Sequence, residues 1–256
     1  MKNKIRLIIL GMLLSLVWLA PVHAQDQADE GVARTAMITP KDGHEETLLK
    51  AITDYHKWVA QFDGHHRYNW YAIRTGKHTG KFAARTGNHN WADFDAEYDW
   101  QEEADKVFQT NVAPHIEHVE MYFTEDMDEF SNWPADFEGY THYSVSNWYV
   151  HNGQYGKFQR HLKKIVETLK AGGFPNHWGI MSVESGGYGN QIQIVGANKG
   201  WADLSTPDLT FSKIMIEELG SEEAFDAFME EWGSTFKSGH NWMAEWLPEA
   251  SDYGTD

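Results

Sequence analysis

The segment Asn69-Trp70-Tyr71-Ala72-Ile73, followed by a glycine turn and by Trp91-Ala92-Asp93-Phe94, occurs twice in this chain in related form. About 110 residues later the chain has His177-Trp178-Gly179-Ile180-Met181, another glycine turn and Trp201-Ala202-Asp203-Leu204. The first turn contains Gly76 and Gly80, and the second contains Gly186, Gly187 and Gly189. The same order at a nearly constant offset predicts an internal duplication.

Hydrophobic periodicity predicts a similar series of elements in each copy. In the first copy, an alternating strand at 34–39 precedes an amphipathic helix at 45–62. A hairpin at 66–87, a helix from Trp100 to Val112 and an alternating strand at 118–123 follow. The predicted order is therefore βαββαβ, which is the order of the ferredoxin-like unit.

The second copy has the same predicted pattern. A strand at 141–150 precedes a helix at 155–171, and a hairpin covers 176–196. Helical segments at 209–219 and 221–236 and a closing strand from Asn241 complete the copy. The fold class is thus predicted as α+β, with two tandem ferredoxin-like repeats.

These assignments divide the chain into six segments. The predicted segments are a signal peptide at 1–24, a disordered leader at 25–32, a first repeat at 33–123, a linker at 124–138, a second repeat at 139–248 and a loose tail at 249–256.

The first residues have the pattern of a secretory signal peptide. A basic start with Lys2, Lys4 and Arg6 precedes an apolar run, and Val22-His23-Ala24 supplies small residues for cleavage. An anchor would need about 20 apolar residues, and this run is shorter. We therefore expect cleavage after Ala24, a periplasmic or secreted protein, and no membrane association after cleavage.

Charge and cysteine content exclude several classes of function. The formal net charge is −17, and it becomes −20 when the three basic residues of the signal peptide are removed. Such a surface repels nucleic acid and anionic membranes, and it also suits a salty medium or a cationic partner. The chain has no cysteine, which excludes thiol redox chemistry, iron–sulfur clusters and thiolate zinc sites.

Two fused units of this kind resemble the dimeric α+β barrel superfamily, which includes antibiotic-biosynthesis monooxygenase-like, NIPSNAP-like and chlorite-dismutase-like proteins. The resemblance lies in the element order and the duplication of the Trp70 and Trp178 hairpins. It implies an intramolecular barrel built from two four-stranded sheets, with a ligand or haem inside the barrel or between a sheet and its helices. It supplies no catalytic residue, because one fold serves many functions.

Strand alternation places several polar and aromatic residues on common faces. If those faces line the barrel, they form a wet, aromatic-rimmed chamber; the alternative is that they face solvent on an open antiparallel sheet. The candidate acid–base residues are His118, Glu120 and His142. The candidate ligand-binding residues are Tyr122, Trp148, Gln191 and Gln193, with Trp242 and Trp246 as the pair at the rim.

Histidines offer a second class of site. His115 and His118 stand three residues apart around Glu117, but the string lacks the His-Glu-x-x-His pattern of zinc proteases, which favours solvated or capping roles. His161 lies beside the apolar stripe of its helix and is the haem-ligand candidate. The repeated Trp-Ala-Asp motif is interpreted as structural, with the indole covering the core and the aspartate capping the next segment.

The sequence favours an exported protein that binds a small molecule, or a cofactor-independent enzyme, with a polar and aromatic pocket in the barrel. No Gly-x-Ser-x-Gly, P-loop or Rossmann pattern is present. The alternatives are a haem- or metal-binding periplasmic protein and a structural or interaction module without a ligand. No cofactor is expected under the favoured hypothesis, and further oligomerisation is left open.

Overall fold

Eight strands in residues 31–252, the part of the chain that the computed structural model describes, form one closed antiparallel barrel. The predicted signal peptide lies outside these residues. The strands are β1 (Val32–Pro40), β2 (Asn69–Ile73), β3 (Phe82–His89), β4 (Ile116–Asp126), β5 (His142–Val150), β6 (His177–Ser185), β7 (Gln191–Asn198) and β8 (Phe236–Trp246). The helices are α1 (Glu45–Val59), α2 (Gln101–Asn111), α3 (Tyr155–Ala171), α4 (Phe211–Leu219) and α5 (Glu222–Gly233).

The strand order around the barrel is β1-β3-β2-β8-β5-β7-β6-β4, and β4 returns to β1. Two short seams join the strands of residues 32–126 to those of residues 142–246. In one seam Tyr71–Ile73 of β2 pairs with Ala244–Trp246 of β8. In the other, Phe123–Asp126 of β4 pairs with residues 181–185 of β6. A mixed α+β fold with a closed barrel confirms the coarse prediction.

Three apolar clusters stabilise this arrangement. Leu48 and Ile52 of α1 pack on the outer face of the first four strands, and Phe158 and Leu162 of α3 do the same on the second four. A third, smaller cluster lies inside the barrel and includes Trp242. Each strand is therefore apolar towards its helices and mixed towards the barrel interior.

Local signals account for the ends of α4 and α5. Gly220 has a φ of 89° and ends α4 in the left-handed conformation. Ser221 then caps α5, because its hydroxyl accepts a hydrogen bond from the N–H of Ala224. The predicted helix at 221–236 ends earlier, at Gly233, and the closing strand begins earlier, at Phe236 rather than Asn241.

No helix within residues 31–252 combines the length and apolarity needed to cross a bilayer.

The segments after β4 and after β8 are more ordered than expected. β4 continues to Asp126, and Asn132 forms a β-bridge with Trp178 inside the predicted linker. At the other end, Ser251 accepts a hydrogen bond from the N–H of Trp70, and Asp252 bonds the backbone of Tyr68. Ser251 and Asp252 are therefore held against the start of β2 by hydrogen bonds.

In both copies of the Trp-Ala-Asp motif the aspartate forms the predicted cap, but the indole does not cover the core. Asp93 forms a capping box with Asn90, and Asp203 accepts a hydrogen bond from the N–H of Lys199. The indoles of Trp91 and Trp201, however, are 44% and 50% exposed, so they do not cover the core. That part of the prediction is wrong, because the short 3-10 helices turn both indoles outward.

Candidate functional site

A cavity of about 720 Å³ lies inside the barrel. All eight strands contribute to its wall, and it extends to the barrel end at which β1 begins and β4 ends. We call it the chamber. Its wall is formed by Thr35, Met37, Asn69, Tyr71, Ile73, Ala83, Arg85, Gly87, Asn88, Tyr122, Asp126, Asp128, Trp133, Phe137, Tyr140, Tyr143, Val145, Met181, Gln193, Val195, Trp242, Ala244 and Trp246.

Two partly buried tyrosines face each other in the chamber. The rings of Tyr71 on β2 and Tyr143 on β5 are nearly perpendicular, with centroids 5.4 Å apart. Burial raises the pKa of Tyr71 to about 12, and it also raises the pKa of Tyr143. Both phenols therefore stay protonated at neutral pH. The Tyr143 hydroxyl donates its proton to the carbonyl of Tyr140 at 3.1 Å, so Tyr71 is the phenol of this pair that can donate a hydrogen bond to a ligand.

Side-chain amides supply neutral polar groups. The Nε2 of Gln193 donates to Oδ1 of Asn147 at 3.3 Å, and it lies 3.5 Å from the hydroxyl of Tyr122. At the rim, Nε1 of Trp246 donates to Oδ1 of Asn69 at 3.1 Å. These bonds fix the side chains before any ligand arrives, which lowers the entropy lost on binding.

One ion pair stands inside the chamber. An amino group of Arg85 lies 3.5 Å from a carboxylate oxygen of Asp126, and the other donates to the hydroxyl of Thr124 at 3.2 Å. Burial raises the pKa of Asp126; Arg85 opposes this shift, and the charge of Asp128 adds to it. Asp126 is thus the chamber carboxylate that is best suited to exchange a proton.

Residues 127–141, here called the mouth segment, bring aromatic side chains to one end of the chamber. Trp133, Phe137 and Tyr140 all line it. Trp133 occupies the space above Gly179: a Cβ at Gly179 would lie 1.7 Å from Cζ2 of the indole. Only glycine at this position leaves room for the ring.

The first part of the mouth segment is anchored to β6. The N–H of Asn132 donates to the carbonyl of Trp178 at 2.7 Å, and the Trp178 indole donates to the carbonyl of Phe130 at 2.8 Å. The hydroxyl of Ser131 accepts a hydrogen bond from the N–H of Ile180 at 2.9 Å. The segment that the sequence identifies as a linker therefore forms part of the candidate site.

The structure places some predicted ligand-binding residues on the chamber wall. Tyr122, Gln193, Trp242 and Trp246 lie there, and their roles in binding stay predictions. Gln191 is buried, but its side chain accepts a hydrogen bond from the N–H of Tyr188 within the β6–β7 turn.

His142 and Trp148 do not line the chamber, so that expectation is wrong. Both lie on the outer face of β5, where the Trp148 ring stacks on Phe236 at 4.7 Å and the His142 ring contacts Trp201. β5 is covered on both faces, and period-two alternation does not identify which face is the interior. Tyr143 occupies the inner face instead.

His118 and Glu120 are also outside the chamber. Their side chains are 58% and 55% exposed, with Nε2 of His118 3.6 Å from Oε1 of Glu120. β6 pairs with β4 only from Phe123 onward, so the first half of β4 extends beyond the enclosed part of the barrel. The expectation that these two residues are the acid–base groups of a chamber is therefore wrong.

The histidine candidates do not form a metal site. Nδ1 of His115 lies 2.9 Å from Nδ1 of His44, while His118 pairs with Glu120. Within residues 31–252, no three histidine, aspartate or glutamate side chains are placed to hold a metal ion.

A second cavity, of about 700 Å³, lies between the outer face of β5, β6 and β7 and helices α3 and α4, one of the places where haem could bind. Its wall is mostly apolar, and the one imidazole among its lining residues, His177, bonds the Asn132 carbonyl through Nδ1. The lining contains no arginine or lysine to hold propionates. His161 is not part of it and contacts Lys157 and Glu231 instead. These residues do not fit haem.

Sequence reasoning missed Arg85, Asp126, Tyr71 and Tyr143. The alternation of β3 separates Arg85 from the apolar Phe82 and Ala84, which was a usable signal. The duplication contains a second signal: Tyr71 follows Trp70 in the first copy, whereas Gly179 follows Trp178 in the second.

Comparison with known proteins supports the fold. No protein-family model matches the chain, and no curated protein matches it either. A solved structure of a candidate monooxygenase from Lactobacillus acidophilus is similar, with a TM-score of 0.51, 10% identity, and coverage of 85% of this chain and 94% of that one.

A mutant chlorite dismutase from Candidatus Nitrospira defluvii, in complex with cyanide, aligns with a TM-score of 0.52 and 9% identity, covering 88% of this chain and 93% of that one. A haem-binding protein from Thermus thermophilus aligns with a TM-score of 0.50 and 11% identity, covering 87% and 93%. The chain therefore shares the overall fold of these solved structures. At these identities the likeness concerns the fold alone.

Proposed function

We propose that the protein binds a small, partly aromatic or apolar molecule in the chamber. The observation that carries this proposal is the chamber itself: a cavity of about 720 Å³ with aromatic walls and a few fixed polar groups. Small-molecule sites have this combination of apolar wall and few convergent polar groups.

The polar groups define what the chamber can do chemically. The neutral phenol of Tyr71 can donate a hydrogen bond to a ligand oxygen, and the Tyr143 hydroxyl, whose proton is donated to the Tyr140 carbonyl, can accept one from a ligand. Asp126 can accept a proton from a ligand. If the protein is an enzyme, we propose that it performs proton transfer without a cofactor, with Asp126 as the base and Arg85 as the group that holds it.

The domain organisation and the compartment complete the proposal. Strands β4-β1-β3-β2 and β8-β5-β7-β6 have the same order in each half, which supports two tandem ferredoxin-like repeats. The basic, apolar and small-residue pattern of residues 1–24 supports export to the periplasm or the medium.

A filled chamber provides the test. Ala244 of β8 lines the chamber, so Ala244→Phe should occupy the ligand volume. In a thermal-shift screen of small aromatic compounds, a ligand at about 100 times its Kd stabilises the native state by about 2.7 kcal/mol. For a domain of this size, that raises Tm by about 5–10 °C.

The variant should lose this shift, whereas Ala171→Phe, at an exposed position at the end of α3, should keep it. Because Ala244→Phe risks overpacking, Ala83→Val on β3 serves as a milder variant that should weaken binding. A compound that raises the Tm of the wild-type protein, Ala244→Phe and Ala83→Val equally would show that it binds outside the chamber.

A further inference from the structure

The formal charges of the chamber wall do not cancel. Its charged residues are Arg85, Asp126 and Asp128, and the wall contains no lysine, glutamate or histidine within residues 31–252. Arg85 pairs with Asp126, which leaves the carboxylate of Asp128. None of the ion pairs in the described part of the chain involves Asp128, so the chamber has a net charge of about −1 at neutral pH.

Aromatic rings surround the same end. Trp133, Phe137 and Tyr140 lie in the mouth segment with Asp128, with ring centroids 5.6 Å apart for Trp133 and Phe137 and 6.4 Å apart for Phe137 and Tyr140. Phe137 is 48% exposed beside the chamber, although large apolar side chains are normally buried. The faces of aromatic rings attract cations, most strongly in sites from which water is excluded.

The ring of Tyr140 already contacts a cation of the protein itself, the ammonium group of Lys199. Nζ of Lys199 lies 5.2 Å from the ring centroid of Tyr140. Lys199 is not among the residues that line the chamber, so its ammonium group does not occupy the volume inside. The contact shows that the mouth segment presents a ring in an orientation that an ammonium group can approach.

The charge of the whole chain favours the same ligand class. A net charge of −17 produces a negative potential, and a cleft with low-dielectric walls concentrates that potential. An anionic ligand would have to approach Asp126 and Asp128 against this potential. A cation would be attracted to the mouth and partly desolvated by its rings.

We propose that the chamber selects an organic cation, namely a quaternary or protonated amine attached to an apolar or aromatic body. The ammonium group lies between Asp128 and the rings of Trp133 and Phe137, and the apolar body extends into the chamber. This inference rests on the proposed function, because it names the ligand class of that same site.

Three probes with one phenyl ring and different charges test the inference. Isothermal titration calorimetry of the protein would compare benzyltrimethylammonium, benzyl alcohol and benzoate. We expect the cation to bind at least about tenfold more tightly than the other two, with an affinity that falls as salt is added.

Charge removal at the mouth provides the matched comparison. Asp128→Asn should weaken binding of benzyltrimethylammonium about three- to fivefold, the range expected for an exposed charge, and leave benzyl alcohol unaffected. Glu129→Gln removes the same charge from the next residue, which is exposed but does not line the chamber, and should have no comparable effect.

The outcomes separate the two proposals. If benzyl alcohol binds as tightly as the cation and Ala244→Phe abolishes both, the chamber is a ligand site and the cation inference is overturned. If the cation binds equally well to Ala244→Phe, it is adsorbed on the acidic surface, and the inference also fails. If no probe binds and no other compound stabilises the protein, both proposals fail.

Discussion

Substituting Gly179 with alanine should displace the indole of Trp133 from the chamber. A Cβ at this position would lie 1.7 Å from Cζ2 and 2.2 Å from Cε2 of the ring, distances that a shift of a few tenths of an ångström cannot relieve. β6 cannot retreat, because Gly179 pairs with Val195 and the neighbouring Trp178 is bonded to Asn132. The ring must therefore leave its place.

The cost follows from the area that the ring would expose. A buried aromatic side chain hides about 150–250 Å², and Trp133 is only partly buried, so about 100 Å² is the relevant area. At about 25 cal/mol per Å², Gly179→Ala should lower the free energy of unfolding by about 2.5 kcal/mol and Tm by about 5–10 °C.

Urea unfolding followed by far-ultraviolet circular dichroism measures this change without relying on the fluorescence of 12 tryptophans. Gly200→Ala is the control, because nothing lies within 4 Å of its Cβ and its φ of −176° suits any residue. In a double-mutant cycle, Gly179→Ala should cost nothing further once Trp133→Ala has removed the ring. A Gly179→Ala protein as stable as wild type would refute the proposed seating of the indole.

Three other predictions concern charges and helix ends. Because burial raises the pKa of Asp126, affinity for benzyltrimethylammonium should fall as pH drops through that raised value, and calorimetry should find this dependence reduced in Asp126→Asn. Burial opposes ionisation of Asp252, but the hydrogen bonds from His56, whose Nδ1 lies 3.0 Å away, and from the N–H of Tyr68 hold its pKa below the usual value. The Asp252 carboxylate therefore stabilises the fold above the unfolded-state pKa of about 4, and this stabilisation is lost as pH falls. Asp252→Asn should lower the free energy of unfolding by about 1–3 kcal/mol at pH 7. In urea titrations at several pH values, the free energy of unfolding of the variant should also depend less on acid pH. Gly220→Ala should lower the free energy of unfolding by about 1 kcal/mol, because Gly220 has a φ of 89° that alanine disfavours. Gly233 lies at the end of α5 with open space where a Cβ would be added. In the same assay Gly233→Ala should therefore leave the free energy of unfolding unchanged or raise it by up to about 1 kcal/mol.

The elements were predictable because their signals are local. Apolar residues at helical spacing predicted α3 at its observed bounds, and the alternation around Tyr122 predicted β4. The repeated hairpin tryptophans have matching positions as well: Trp70 and Trp178 are both buried, and each donates its indole hydrogen bond, to His56 and to Phe130 respectively.

The candidate site was less predictable because it depends on contacts between distant residues. Nothing near Trp133 in the sequence indicates that its ring lies over Gly179, and nothing near Arg85 indicates its pairing with Asp126. A strand with both faces covered also hides which side lines a cavity, which is why His142 was placed on the wrong face.

The mouth segment is both the covalent connection between the two halves of the barrel and the cover of its chamber. The N–H of Asp126 donates to the carbonyl of Gly31, and Asp252 bonds Tyr68, so residues 31 and 252 lie at the barrel end that this segment covers. Circular permutation would exploit this arrangement. Joining Asp252 to Gly31 through a linker and opening the chain within 133–140 would keep all eight strands in one continuous chain, and it would turn the segment that covers the chamber into two free termini.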